Sequence, residues 1–356
     1  MKKIFILLLL VLMCSGCYDN VELDNLAIIN GIGIDYVDNK YILTYEILND
    51  TKTQNNEAML SYTVTGSGRT ISEAFTNTNY KVSKKSYFAH LSLVIVHKNI
   101  LNEKLENITD FLLRDTNIRS KFKLVGTSNN TPEEILKNNS DNHPVVSEQI
   151  VDLLDNEVYN NNIVNNDSFT DIASKLISKK HDVIINSISL ENDEITLSDS
   201  FMLKEYNYQN ILSKENSAIY NLLTKNVITA EFQKNYENGL VAITINQSDS
   251  SIDVKNDKII INTDLEAKII QNEAGFDLTK DDAYKKLNKE FEKIVKESIH
   301  NFIKTIQENK SDILGLQDIY YRKYKKDNHN LWESADINIK VNLKINTKGF
   351  IFEVNK

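Results

Sequence analysis

The sequence predicts an α+β protein of more than one domain. Mixed and antiparallel β-sheets pack with helices, and one long amphipathic helix lies towards the C-terminus. Three observations carry this. Apolar runs of strand length alternate with helical patterns through the first half. From Ala283 to Ile306 the apolar residues recur with a 3.6-residue period. From Ile337 to Ile345 they alternate strictly with Asn and Lys, a strand with one buried face.

The chain opens with Lys2-Lys3, ten apolar residues from Ile4 to Met13, and then "CSGC". Ten residues are too few to span a bilayer, which takes roughly 20. A basic head, a short apolar middle and small residues before a cut make an export signal. "CSGC" resembles the lipobox of bacterial lipoproteins. That resemblance implies cleavage before Cys17, a diacylglyceryl group on its thiol and an acyl chain (palmitate) on its new amine. Leu12 and Met13 are too bulky to make Cys14 the target. The expected outcome is a mature chain tethered outside the membrane through lipid, since two acyl chains anchor stably. The alternatives are an ordinary secretory cut and a buried N-terminal helix.

Residues 25–50 read as two strands joined by a turn at Val37–Lys40, where Asp38-Asn39 suits the geometry. "LSYTVTGSG" is a third strand, and Thr70 with Glu73 signals a helix start. "YFAHLSLVIVH" reads as one buried strand carrying both His90 and His97. The next helix presents Leu101, Leu105, Ile108, Leu112 and Leu113 on one face. "SKFKLVGTS" is a strand, and Thr131-Pro132 opens a further helix. Two short helices follow, around "SEQIVDLLDNEV" and "SFTDIASKLISK", then the strand "DVIINSISL". The order predicts a mixed sheet with helical crossovers. Glu191–Thr196 is acidic and without period, and it is the expected boundary. The division is thus 1–16 as signal peptide, 17–190 as an N-terminal α/β region with room for two subdomains, and 197–356 as a C-terminal α+β domain.

"LSDSFMLKEYNYQN" reads as a hairpin, followed by a helix capped by Ser213. Strands are expected at Val227–Phe232, Leu240–Asn246 and Lys258–Lys268. Thr279 and Asp282 look like an acidic capping box for the long helix. "QDIYYRKYKKDNHNLWE" is then read as a loop before the final strand.

The 356 residues carry a net charge of −9, which argues against a nucleic-acid footprint and against electrostatic adhesion to anionic lipid. The two cysteines, Cys14 and Cys17, both lie in the export region, so neither a disulfide framework nor a thiol metal cluster is expected. The six histidines form no HExxH pattern or paired ligand spacing. "GIG" at 31–33 lacks the third glycine of a dinucleotide fingerprint, "GSGRT" lacks the spacing of a phosphate loop, and there is no GxSxG. No catalytic constellation, cofactor site or metal site is expected. The candidate docking residues are Tyr321, Arg322 and Lys323, in a cluster with Tyr320, Tyr324 and Trp332. The plain alternative is that the rings cap the core and the lysines solvate a loop.

"GCYDNVELDNLAIINGIGID", "TGSGRTISEAF", "FAHLSLVIV", "DFLLRDTNIR" and the block from Asp312 to Gly349 resemble, in order, segments of the Ger(x)C lipoproteins. These are the C subunits of spore germinant receptors. The resemblance is carried by Cys17, Gly31, Gly33, Asp35, Gly68, Glu73, His90, Arg114, Asp312, Gly315 and Trp332, among others. It implies several α/β domains on the outer face of the spore's inner membrane, a non-enzymatic role in nutrient-triggered germination, and assembly with the A and B membrane subunits. The rival readings are a lipid-anchored extracytoplasmic solute-binding protein, which would show two similar lobes, and an exported hydrolase, which would need a nucleophile or a metal.

Overall fold

The structure is a computed structural model, and it describes residues 23–49, 60–102, 104–140, 142–160, 162–224, 229–255, 258–328 and 335–346. The fold is α+β, with mixed and antiparallel sheets. Two sheets organise the described residues, one of nine strands and one of four.

The larger sheet starts with β1 (Leu26–Val37), β2 (Lys40–Asn49) and β3 (Leu60–Gly68), an antiparallel meander. Asp38 and Asn39 both take positive φ in the first hairpin, as the sequence predicts. Helix α1 (Ile71–Asn79) follows, with the Thr70 side chain accepting from the Glu73 N–H. Glu73 reaches back to the N–H of Arg69. The predicted strand at 87–97 is in fact two. β4 (Lys85–Tyr87) and β5 (Leu93–His97) are separate, so His90 sits in the intervening turn rather than on one strand with His97. Helix α2 (Leu105–Arg114) buries Leu105, Ile108 and Leu112. Leu113 is exposed and Leu101 belongs to a preceding 3₁₀ turn, so the predicted five-residue face narrows to three. β6 (Lys123–Thr127), α3 (Pro132–Leu136, with a full Thr131–Glu134 capping box), α4 (Val146–Asn160), α5 (Phe169–Ser178) and β7 (Val183–Glu191) complete the crossovers.

β1, β5, β6 and β7 run parallel at the centre of this sheet. Successive side chains point to opposite faces, and both faces are covered. Ile32, Ile34, Val94 and Val96 join one core with α1, α2 and α5; Leu93, Ile95 and Val125 join another with α3 and α4. Close packing is legible at Gly33, where a Cβ would stand 2.8 Å from Pro132. A buried carboxylate fixes α4. Glu46 accepts from the N–H groups of Val146 (2.6 Å) and Ser147 (3.0 Å) and from the Ser61 hydroxyl (2.9 Å).

The segment read as a boundary, Glu191–Thr196, is a tight hairpin with positive φ at Asn192 and Asp193. β8 (Glu194–Lys204) and β9 (Asn207–Leu212) extend the same sheet beyond it. Residues on both sides of this hairpin share a core: Ile184, Met202 and Leu212 face α6 (Lys214–Thr224) and pack with the second half of the chain.

The second sheet has the order β10 (Ala230–Tyr236), β11 (Gly239–Lys255), β12 (Lys258–Asn272) and β13 (Asp336–Ile345). β11 and β12 run well past their predicted ends. Helix α7 (Asp281–Glu308) lays Leu287, Phe291, Val295, Ile299, Phe302, Ile303 and Ile306 across one face. The predicted Thr279–Asp282 box does not form. Lys280 is the N-cap without a side-chain bond, and Thr279 instead donates to Asp277. β13 pairs parallel with β12. Glu292 and Asn288 of α7 accept from the Leu343 and Ile345 N–H groups, which covers part of that strand's outer edge.

Candidate functional site

The first part of the predicted docking loop is a helix. α8 (Leu316–Tyr324) begins at Gly315, whose φ of +68° is left-handed, so no Ser or Thr cap marks its start. Asp312 caps it from upstream, accepting from the Leu316 N–H (2.8 Å) and the Gln317 N–H (2.9 Å). The same residue ties the second half of the chain to the first. The Asp312 N–H donates to the Asp182 carboxylate (2.6 Å), and the Asp182 N–H donates to the Asp312 carbonyl (3.1 Å). Gly315 lies against the His181 ring, where a Cβ would stand 2.5 Å from Cδ2. Burial raises both Asp182 and Asp312 to about 6, and their mutual repulsion adds to it for Asp312. Burial lowers His181, whose Nδ1 lies 2.7 Å from the Asp182 carbonyl.

The three docking candidates sit on α8, but their groups are engaged within the chain. The Lys180 ammonium lies 3.0 Å from the centre of the Tyr321 ring, a cation–π contact. Arg322 pairs with Asp318 at 2.6 Å and stays 77% exposed. Lys323 bonds both oxygens of Asp253 (2.7 and 2.8 Å) and the Val254 carbonyl (3.0 Å). α8 is therefore a strap, held by the start of β7 at one end and by the far end of β11 at the other. Cys17 and Trp332 lie outside the described residues.

His97 stands at the carboxyl end of β5, 3.6 Å from Asp35, which also accepts from Asn99 (2.7 Å) and from the Tyr36 N–H (2.6 Å). Sequence reading did not find the Asp182–Asp312 junction, because its halves lie far apart in the chain. The one signal was that Asp312 and Gly315 both stand in the family-like closing block. A cavity of about 620 Å³ lies between α6, β10 and α7, with Ile219, Phe232 and Ile294 in its wall. Among the described residues, no group of three or more His, Cys, Asp or Glu could hold a metal ion, and no helix is long and apolar enough to cross a membrane.

Two family models match the chain in succession. The spore germination protein N-terminal domain covers residues 19–190, and the spore germination B3/GerAC-like C-terminal domain covers 198–349. Spore germination protein KC of Bacillus subtilis (strain 168) is 24% identical, over 97% of this chain and 93% of its own length. Spore germination protein B3 of the same organism is 25% identical over 46% of this chain and 45% of its own. The crystal structure of the GerBC protein superposes with a TM-score of 0.54 at 14% identity, covering 88% of this chain and 96% of that one, a likeness of fold. The chain belongs to the Ger(x)C family of spore germination proteins.

Proposed function

We propose that this chain is the non-enzymatic C-type subunit of a spore germinant receptor, assembling with the A and B membrane subunits during nutrient-triggered germination. The observation that carries the reading is the run of both family models in order along residues 19–349, with a relative named for spore germination matched over nearly its whole length. In this reading Cys17 carries the S-diacylglyceryl and N-palmitoyl groups that hold the chain on the outer face of the spore's inner membrane. The sequence before Cys17 supports it, with ten apolar residues and then small ones. Tyr321, Arg322 and Lys323 enter as docking residues in a modified form. Tyr321 and Lys323 fix the strap, and Arg322, the most exposed of the three, offers the contact to a partner.

The experiment is co-purification from detergent-solubilised spore membranes, with wild type beside Cys17→Ala and Arg322→Glu. The A and B subunits should accompany the wild type. Cys17→Ala should leave the membrane fraction when the partners are absent, and Arg322→Glu should lower partner recovery without loss of fold. Recovery of the wild type without either membrane subunit would sink the receptor reading. Full membrane retention of Cys17→Ala without partners would sink the anchor.

A further inference from the structure

The four central strands of the large sheet are parallel, so the segments that enter them share one end of the sheet. Residues 23–25 enter β1, 79–92 enter β4 and β5, 115–122 enter β6, and 179–182 enter β7. The segments that leave the strands share the opposite end. The two ends differ in the balance of their exposed charge. The entering end exposes Lys84, Lys85, Arg119, Lys121, Lys179 and Lys204 against the exposed acids Asp24, Asp155, Asp171 and Glu205, of which Asp155 pairs with Lys123 and Glu205 lies 3.8 Å from Lys179; Asp115 there is half-buried and Asp182 buried. The leaving end exposes Asp38, Glu134, Glu191, Asp193 and Glu194 against Lys40 and Arg69. A basic end on a chain of net charge −9 is a separation that the net value conceals.

Lys84, Lys85, Arg119 and Lys121 have no ion-pair partner among the described residues, in contrast to Lys123, Lys137 and Lys175. Tyr80 (82% exposed) precedes Lys84 in the segment entering β4, and Ile177 (59% exposed) precedes Lys179. Basic side chains with an amphipathic ring and an exposed aliphatic chain suit a headgroup layer. Lys84 and Lys85 also wall a cavity of about 490 Å³, with Ser86, Asn117 and Asp115.

The tether selects the same end. Leu23, the first described residue, comes six positions after Cys17, and six extended residues reach at most about 20 Å. A chain anchored at Cys17 must hold Leu23, which opens the short turn leading into β1, within that distance of the bilayer. We propose that the basic end of the parallel strands, with Lys84, Lys85, Arg119 and Lys121, docks on an anionic lipid surface and sets the orientation of the protein. The acidic end then faces away from the membrane. This rests on the lipid-anchor reading of Cys17 for affinity, and it supplies the direction that a single point of attachment lacks.

The test uses the lipidated chain on vesicles of phosphatidylcholine, with or without phosphatidylglycerol. Fluorophores are placed by Ser83→Cys at the basic end or Ser128→Cys at the acidic end, both exposed positions. A lipid with a spin-labelled headgroup is the quencher. Ser83→Cys should be quenched strongly when phosphatidylglycerol is present and Ser128→Cys should not. Each basic side chain next to an anionic surface contributes about 5-fold to the contact. The triple change Lys84→Glu, Lys85→Glu, Lys121→Glu should therefore abolish the difference while vesicle flotation persists through the anchor. Equal quenching at both positions, or quenching indifferent to phosphatidylglycerol, would overturn the proposal. Failure of the anchor reads differently, as a Cys17 without lipid mass and no flotation on phosphatidylcholine alone. In that case the unlipidated chain must still bind phosphatidylglycerol vesicles at low salt with Ser83→Cys quenched, and absence of that binding would also overturn it.

Discussion

The nine-stranded sheet is covered on both faces, and the four-stranded sheet on one. In β5, Leu93 and Val94 point opposite ways and both are fully buried, whereas in β13 Leu343 is buried and Lys344 is exposed. A doubly covered sheet has no neutral face, so any polar group inside it must be paired. The difference teaches where each sheet is vulnerable. The first depends on a few buried polar contacts and close backbone approaches, and the second on one amphipathic helix.

Glu46→Ala tests the first sheet hardest. It leaves the buried Val146 and Ser147 N–H groups without their acceptor. We expect a loss of about 3–5 kcal/mol, read as a fall in the urea midpoint. A loss below about 1 kcal/mol would mean that water enters this core, and the contrast between the sheets would weaken.

Gly315→Ala tests the junction between the two halves. Gly315 and Gly275 both have positive φ, +68° and +71°, but only Gly315 has a neighbour, the His181 ring. Gly275→Ala should cost about 1 kcal/mol from backbone strain alone. Gly315→Ala should cost about 3 kcal/mol, because the ring or the strap must also move. Equal melting temperatures for the two variants would remove the His181 contact from the account.

Asp182→Asn should stabilise, with a dependence on pH. In the folded chain Asp182 titrates at about 6, against an ordinary 3.8, chiefly through burial. A raised carboxyl holds its proton better when folded than when unfolded. Its contribution to stability is full below about pH 3.8 and is lost as pH rises through about 6. At neutral pH the charged form is a burden, and the neutral amide can still accept from the Asp312 N–H. We expect a gain of about 2 kcal/mol at pH 7.5 that shrinks towards pH 4, read from thermal melts across that range. A pH-independent difference would assign the effect to packing instead.

The regular parts of both sheets were legible in the sequence, and the exceptions have physical causes. Thr70 and Thr131 announce their helices because the caps are local, with partners three residues on. α7 and β13 announce themselves by period. α8 was hidden, because Gly315 opens it and its cap, Asp312, lies before that glycine. His90 was misplaced because the turn at 88–92 is itself apolar and continues the run of β5. Glu191–Thr196 stands between the two stretches that the family models match, and within it a two-residue turn of Asn and Asp joins β7 to β8. At the candidate site, Tyr321 and Lys323 stand out by composition, but their partners Lys180 and Asp253 are remote in sequence, and no local pattern points to them.

The smallest expected effect sharpens the comparison most. On β13, Asn338, Lys340, Asn342 and Lys344 are all exposed, while Ile339, Leu343 and Ile345 face α7. Lys340→Thr keeps a polar, strand-forming residue on the open face and breaks no ion pair among the described residues. Its expected change is within about 0.5 kcal/mol. The neighbouring Ile339→Thr places a hydroxyl in the core beneath α7 and should cost about 2 kcal/mol or more. In β5 no such neutral position exists, so Leu93→Thr and Val94→Thr should both be costly. Paired urea titrations of the four variants decide it. If Lys340→Thr costs as much as Ile339→Thr, the outer face of the small sheet is covered after all, and the two sheets obey the same rule.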